Sequence, residues 1–490
     1  MRPPNQAARN QLRTVLARRA AVSAADLASQ LAVSVPTLHR LLRAHSADLV
    51  ITGKARRTRY ALRRPLRGGP ADWPLVEINA QGAAQQVAAL ALVQPEGSWL
   101  PLDGSAWPIP EESRDGWWAG LPYVLQDMRP QGYLGRQLAR AEHAALGLPP
   151  NPEAWGDDAV VHALAHIGSD CSGNLLLGDV AFQRWQAALM APPTPLVASA
   201  LGAAYSRLAE QAVAAGVAGS SAAGEFPKFP ALRDLAAADT PHVLVKFSGA
   251  DGSPAVQRWA DLLVCEHLAL GCAATLPGVS AASSRIVQHA GRTFLEVQRF
   301  DRHGLHGRSP LVSLATLDAC FVGDGSGDWP RLAAGLQALG VLDAATVQQV
   351  QHLAWFGRLI HNTDMHPGNL SFRPMAAAGA GAAPAAITAA STTTSTAAAI
   401  TTTAAAGPMQ LAPAYDMLPM GHAPLPGGEV ASRHFSPPLP LPAQRQLWLV
   451  ACAAALLFWQ RAAADTRISP AFRQVCAGHA ELLQRLTEWL

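Results

Sequence analysis

The stretch Leu359–Phe372, Leu-Ile-His-Asn-Thr-Asp-Met-His-Pro-Gly-Asn-Leu-Ser-Phe, constrains this 490-residue chain more than any other. It sets Asp364, His366 and Asn369 within six residues, ahead of a short apolar run. A carboxylate that can take a proton from a hydroxyl, followed five positions later by an amide that can hold a metal, is a loop layout of phosphoryl transfer. A fold using it must also supply a cation for phosphates and a second metal-binding carboxylate. At 49% hydrophobic residues, the chain has the core to position them.

The cation candidate is Lys246, inside the otherwise apolar His242–Ser248 segment that reads as a strand. A buried lysine is costly unless it meets an anion. The residues therefore leave two readings, pairing with phosphates or an edge strand whose lysine reaches water by its long stem. A helix predicted over Val256–Leu270 offers Asp261 and Glu266 as partners, and spacing does not choose between them. Upstream, Gly216–Glu225 is rich in glycine and serine and is soon followed by Lys228. Such a loop can lay N–H groups over phosphates, although a small-residue linker has the same composition. Arg292–Arg302 reads as a strand running into a polar turn. The second carboxylate is Asp416, within Leu411–Leu418. Between it and Asn369 lie residues 375–409, almost wholly Ala, Thr, Gly and Ser, which cannot build a core and read as a flexible insertion or a frayed Ala-rich helix. Without them, Asn369 and Asp416 stand at hairpin separation.

The N-terminal part is different in kind. Residues 1–67 hold 14 Lys and Arg against 2 Asp and Glu, a local +12, so with +3 overall the other 423 residues carry −9. Leu12, Val15 and Leu16 recur at helical spacing, Ser23 with Asp26 caps a second helix, and Ser34 with Pro36 opens a third that buries Leu38, Leu41 and Leu42 and turns Arg40 and Arg43 outward. Two alternating strands, Leu49–Thr52 and Thr58–Leu62, flank Lys54, Arg56 and Arg57. This is the order of a winged helix-turn-helix, and its charge suits nucleic acid. A protein-interaction module with a solvated basic face is the plainer alternative. Arg64–Pro70 reads as a linker, and 73–190 as a β-rich subdomain with a helix near Asp157–His166. His162 and His166 share a helix face there without a third ligand, which favours a structural role. Ala443–Leu490 reads as helices under the larger lobe. The six cysteines form no Cys-x-x-Cys pair, so no zinc site or disulfide framework is expected. The longest apolar run, Leu447–Trp459, spans 13 residues, short of the roughly 18–20 that cross a bilayer, so a cytoplasmic protein is expected.

Five ordered segments carry a resemblance: Gly219–Lys228, Val245–Ser248, Gln298–Arg302, Asn362–Asn369 and Pro413–Leu418. Over roughly residues 75 to 490 the chain resembles the HipA-type serine/threonine kinases, toxins of bacterial toxin–antitoxin systems, in their longer YjjJ-like variety. The resemblance implies a two-lobed fold that uses ATP and magnesium to phosphorylate a protein serine, with an aminoacyl-tRNA synthetase as the family's best-known target. By position, Asp364 is then the catalytic base with His366 beside it, Lys246 meets phosphates, Asn369 and Asp416 hold magnesium, and Gln298 and Phe300 lie at an adenine hinge. The Gly-rich loop contributes Ser221 and Gly224 to ATP binding, and autophosphorylation falls on Ser221, with Ser220 as the alternative.

Two departures stand out. His361 occupies a position where the family often has glycine, and Pro367-Gly368 replaces its usual Ala-Lys. His-Pro-Gly-Asn is closer to aminoglycoside and other small-molecule phosphotransferases, which stand as an alternative; Tyr415-Asp416-Met417-Leu418 is HipA-like. A DNA-binding regulator whose kinase lobe senses a nucleotide without turnover is the other alternative. The expected architecture is α+β: a winged helix-turn-helix over 1–67, a β-rich subdomain over 73–190, an ATP-binding portion over 200–305 and a mainly helical catalytic lobe over 306–490 with the insertion at 375–409. DNA through residues Arg40, Arg43, Lys54, Arg56 and Arg57, and a protein substrate, are the expected partners.

Overall fold

The computed structural model describes residues 6–214, 226–234, 238–375 and 407–489. The first elements are α1 (Gln6–Leu16), β1 (Val22–Ser23), α2 (Ala24–Gln30), α3 (Val35–Ala44), β2 (Leu49–Thr52) and β3 (Arg59–Leu62). Ser23 caps α2 by accepting the Asp26 N–H at 3.1 Å, and Pro36 stands in the first turn of α3. Leucines at helical spacing, with Tyr60 and Leu62 of β3, close a separate small core. The strands form an antiparallel sheet in the order β1-β3-β2. Gly53, at φ +75°, turns the chain between β2 and β3; a Cβ there would lie 2.6 Å from the Arg57 carbonyl oxygen.

The segment read as a linker is docked instead. Arg64 donates to Asp158 at 2.8 Å, Arg67 to the Leu146 carbonyl at 2.7 Å, and Arg63 pairs with Asp72. The backbone continues the pairing through Arg64 N–H to Leu92 O and Gln94 N–H to Leu62 O, both 2.8 Å. Three of the basic residues counted as a nucleic-acid footprint therefore hold the N-terminal module to the domain that begins at Trp73.

That domain contains β4 (Trp73–Ile78), β5 (Ala84–Leu92), β6 (Ser98–Trp99), β7 (Trp117–Trp118), α4 (Gly132–Leu146), α5 (Asp157–Ile167), β8 (Leu175–Leu177) and α6 (Asp179–Met190). The sheet order is β7-β6-β5-β4-β8. The region expected to be β-rich is thus equally helical, because α4 and α6 flank the anticipated α5. The His162 and His166 rings lie 4.4 Å apart, and His166 Nδ1 is 2.7 Å from the His162 carbonyl, a local helix contact.

The larger body begins with α7 (Leu201–Ala214), β9 (Lys228–Leu232), β10 (His242–Phe247), α8 (Pro254–Ala273), β11 (Ser284–His289) and β12 (Arg292–Gln298). Its antiparallel sheet runs β11-β12-β10-β9, so the lysine-bearing β10 is interior and the edge-strand reading of Lys246 fails. Short strands β13 (Arg302–His303), β14 (Gly307–Arg308) and β15 (Val312–Ser313) lead to α9 (Leu314–Leu317), α10 (Trp329–Ala338) and α11 (Ala344–Leu359). Then β16 (Ser371–Arg373) pairs antiparallel with β17 (Gln410–Leu411), Phe372 opposite Leu411. These strands flank the small-residue segment, and the expectation for its interior lies outside the described residues.

Two helices complete the fold, α12 (Arg445–Ala464) and α13 (Pro470–Trp489). The 13-residue apolar run extends into a 20-residue helix, and Pro442–Ala464 is long and apolar enough to span a membrane by length and composition. Its apolarity has a structural cause in this fold: Trp448, Cys452, Phe458 and Trp459 are buried, and α12 packs on α8, α11 and α13.

Candidate active site

Local chemistry shapes the loop after α11. His361 has φ +59°, a left-handed backbone that His tolerates better than most side chains. This accounts for a histidine where glycine is common. Its ring stacks on Phe435 at 4.7 Å between centroids and its Nδ1 lies 3.2 Å from His422 Nε2, contacts that a glycine would lack. Asn362 Oδ1 then accepts the Asp364 N–H at 3.0 Å, and the Asn369 amide nitrogen donates to the Asp364 carbonyl at 3.0 Å. With the nitrogen end so engaged, the amide oxygen of Asn369 is the end that a cation would meet.

Pro-Gly also has a local reason. His366 caps the short Pro367–Asn369 turn by accepting the Gly368 N–H on Nδ1 at 3.1 Å, and a Cβ at residue 368 would come within 2.9 Å of that ring. His366 reaches the cleft, but this hydrogen bond shapes the loop. Tyr415 ties the loop from outside: its hydroxyl donates to the Gly368 carbonyl at 2.8 Å and lies 2.8 Å from Ser371 Oγ.

Asp416 sits at φ +55° in the next segment, again a left-handed position that Asp tolerates. Lys246 Nζ donates to both Glu266 oxygens, at 2.7 and 2.8 Å, and also pairs with Asp416. The choice left open by spacing is settled: Asp261 instead accepts from Ser469 at 2.8 and 2.6 Å, on another face of α8. Burial opposes the Lys246 ammonium, but Asp416 and Glu266 outweigh it, and its pKa is raised. Burial pushes Glu266 up to about 6 despite Lys246, whereas Asp416 is held low because Lys246 and then Lys228 outweigh its desolvation.

Lys246, Asp364, His366, Asn369 and Asp416 all line one open cleft of about 1090 Å³, together with Phe226 and Lys228. Its opposite wall comes from the preceding domain, through Tyr123, Asp127 and Arg129 among others. Sequence reading did not anticipate that wall, since no motif marks it. Asp127 also fixes the entry to α9 by accepting from Ser313 N at 2.6 Å and Thr316 Oγ1 at 2.8 Å. Gln298 and Phe300 are not among the residues lining the cleft. Gln298 ends β12 opposite Val243, and the Phe300 ring packs on Tyr415 at 5.6 Å. Ser220, Ser221 and Gly224 lie outside the described residues. Arg40, Arg43, Lys54, Arg56 and Arg57 are all exposed, remote in sequence from the cleft.

The donor chemistry fits magnesium, which takes hard oxygen ligands and few protein carboxylates. The amide oxygen of Asn369 and the carboxylate of Asp416 meet that requirement on one cleft. Among the described residues no group of three or more His, Cys, Asp or Glu is arranged to hold a metal by itself.

Comparison with known proteins agrees over nearly the whole chain. Residues 69–186 match the YjjJ-like toxin middle domain, and residues 220–389 match the HipA-like C-terminal domain. Toxin YjjJ of Escherichia coli (strain K12) is 34% identical over 467 residues, covering 95% of this chain and 96% of that one. A chain of the Shewanella oneidensis MR-1 complex of HipA, HipB and operator DNA aligns with a TM-score of 0.45 and 15% identity, over 84% of this chain and 96% of its own. The Helicobacter pylori proinflammatory kinase CtkA aligns with a TM-score of 0.32 and 11% identity, over 53% and 88%. With the relative matched end to end and both domain models in order, the chain belongs to the YjjJ-like toxins, whose C-terminal domain is HipA-like.

Proposed function

We propose that the protein is an ATP- and magnesium-dependent serine/threonine protein kinase of the HipA toxin type, with an N-terminal winged helix-turn-helix that binds DNA. One observation carries the kinase reading: the Lys246–Glu266 ion pair, Asp364, Asn369 and Asp416 meet at a single cleft. In kinases the lysine–glutamate pair and the metal-binding aspartate must both be in place for phosphoryl transfer.

Lys246, held by Glu266, orients the nucleotide phosphates. Asp364 receives the proton of the incoming hydroxyl as its oxygen bonds to the γ-phosphorus and the bond from that phosphorus to the bridging oxygen breaks, leaving ADP. Asn369 and Asp416 would hold magnesium, which supplies neutralisation of phosphate charge. Tyr415 fixes the Pro367–Asn369 turn that presents Asn369. The match of residues 220–389 to the HipA-like C-terminal domain, with the HipA-like Tyr415-Asp416-Met417-Leu418 segment beyond it, favours the protein kinase over an aminoglycoside-type phosphotransferase.

For the N-terminal module, five exposed cations on the third helix and the β2–β3 turn support DNA binding. Expression of the wild type should arrest growth and raise phosphorylation at a small set of cellular Ser or Thr sites, and Asp364→Ala should do neither. Equal arrest and equal phosphoproteomes for the two would refute the kinase reading. Phosphate transfer to small alcohols alone would replace it with the small-molecule enzyme.

A further inference from the structure

Val243 and Lys246 lie three residues apart on β10, so their side chains point to opposite faces of the sheet. Lys246 faces the cleft, whereas Val243 lines a second cavity of about 470 Å³. Its walls are apolar, with Trp185 and Leu189 of α6, Leu196, Leu208 of α7 and Leu232 of β9. Its remaining wall is charged: Arg299, Arg302 and Arg308 with Asp170.

The guanidiniums there are not equally paired. Arg299 pairs with Asp170 and Asp301, each at 3.0 Å, and Arg302 with the same two carboxylates at 2.8 and 2.7 Å. Among the described residues Arg308 forms no ion pair with a carboxylate, although Asp170 and Asp301 act on it from farther off. Its Nη2 donates to the Ser169 carbonyl at 2.7 Å, and its buried Nη1 has no hydrogen-bond partner among the described residues. The residue is only 6% exposed. Three guanidiniums thus face two carboxylates, and Arg308 is the one of the three without an ion pair among the described residues. Burial, and then the neighbouring Arg302, pull its pKa down to about 9, against the opposing pull of Asp170 and Asp301. A donor this deeply buried and unpaired is expensive unless something satisfies it.

We propose that this cavity is a binding site for a small amphipathic monoanion, a carboxylate on an apolar body, with the carboxylate meeting Arg308 and the body filling the space between α6, α7 and β9. The volume lies in the usual small-molecule range of roughly 300–1,000 Å³. A guanidinium at an otherwise apolar wall suits a carboxylate, whose geometry its fork matches. The site is separate from the proposed phosphoryl-transfer cleft and does not depend on that reading. The β10 strand connects the two, since it carries Val243 on one face and Lys246 on the other.

The test is calorimetric titration of the full-length protein with decanoate, decan-1-ol and decylamine. Decanoate should bind saturably at one site, decan-1-ol about 10- to 100-fold more weakly, and decylamine not at all. Arg308→Met should reduce decanoate binding to the level of the alcohol. Ala188→Trp, at an exposed position of α6 on the cavity rim, should block both while leaving Arg308 in place, so a folding defect in one variant does not decide the matter. Equal affinity for acid and alcohol, retention of binding in both variants, or no binding of decanoate to the wild type would overturn the proposal. So would a peptide with an apolar carboxyl terminus that binds where decanoate does not.

Discussion

β10 borders two clusters of charge, one around Lys246 at the cleft and one, partly exposed, around Arg299, Arg302 and Arg308 at the second cavity. On the cleft side Lys246 stands between two carboxylates, Glu266 and Asp416, and Lys228 acts on both from farther off. In the second cluster three guanidiniums, Arg299, Arg302 and Arg308, face two carboxylates, Asp301 and the solvent-exposed Asp170. The proposed metal and phosphate site is thus the one rich in carboxylates, and the proposed organic-anion site the one rich in guanidiniums.

This contrast can be broken most forcefully by deleting the cation at the centre of the cleft cluster. Lys246→Met removes the cation that bonds both Glu266 and Asp416, leaving them only the more distant Lys228, and should cost about 3–5 kcal/mol in denaturant unfolding at neutral pH. A loss below about 1 kcal/mol would mean that the pair is not buried as described. The exposed cations of the N-terminal module give the unburied limit. Replacing Arg40, Arg43, Arg56 and Arg57 with Gln should weaken DNA binding by about 100-fold or more at low salt and flatten its salt dependence, with little change in stability. Salt-independent wild-type binding would point to the protein-interaction alternative.

A smaller effect comes from Glu266. Its pKa is pushed up to about 6 from the usual 4.5, so the folded protein binds this proton more tightly than the unfolded chain. This contribution to stability is therefore present at low pH and is lost as pH rises between about 4.5 and 6. Activity should run the other way, falling as pH drops through about 6, because the protonated acid no longer holds Lys246 as an ion pair. In Glu266→Gln, phosphotransfer should be reduced about tenfold and that acidic limb should vanish; a limb that persists assigns it to another group. The smallest change is expected at Arg308. Arg308→Met removes a cation that forms no ion pair among the described residues, so unfolding free energy should stay within about 1 kcal/mol of wild type or rise. A loss like that of Lys246→Met would show that Arg308 is compensated after all.

How much of this was legible in the sequence depends on the range of each interaction. Asp364, Asn369 and their loop are local, and Lys246 stands out because it interrupts an apolar strand. Glu266 could not be told from Asp261, because α8 is buried almost all round and has no polar stripe to show which face meets β10. Arg64 read as part of a linker because its partner, Asp158, is 94 residues away. The Arg308 cluster joins residues near 170 to residues near 300, and no periodicity links them. His361 was legible as a departure but not as a left-handed position, which only the backbone shows.

The central claim is that the cleft transfers phosphate to protein hydroxyls, and it is tested most directly with purified protein, γ-labelled ATP, magnesium and a cell lysate. The account predicts label on Ser or Thr with the wild type, lost on chelation of magnesium and reduced at least about 100-fold in Asp364→Ala. Equal labelling by Asp364→Ala, or no labelling by a wild type shown to bind ATP with magnesium, would contradict it.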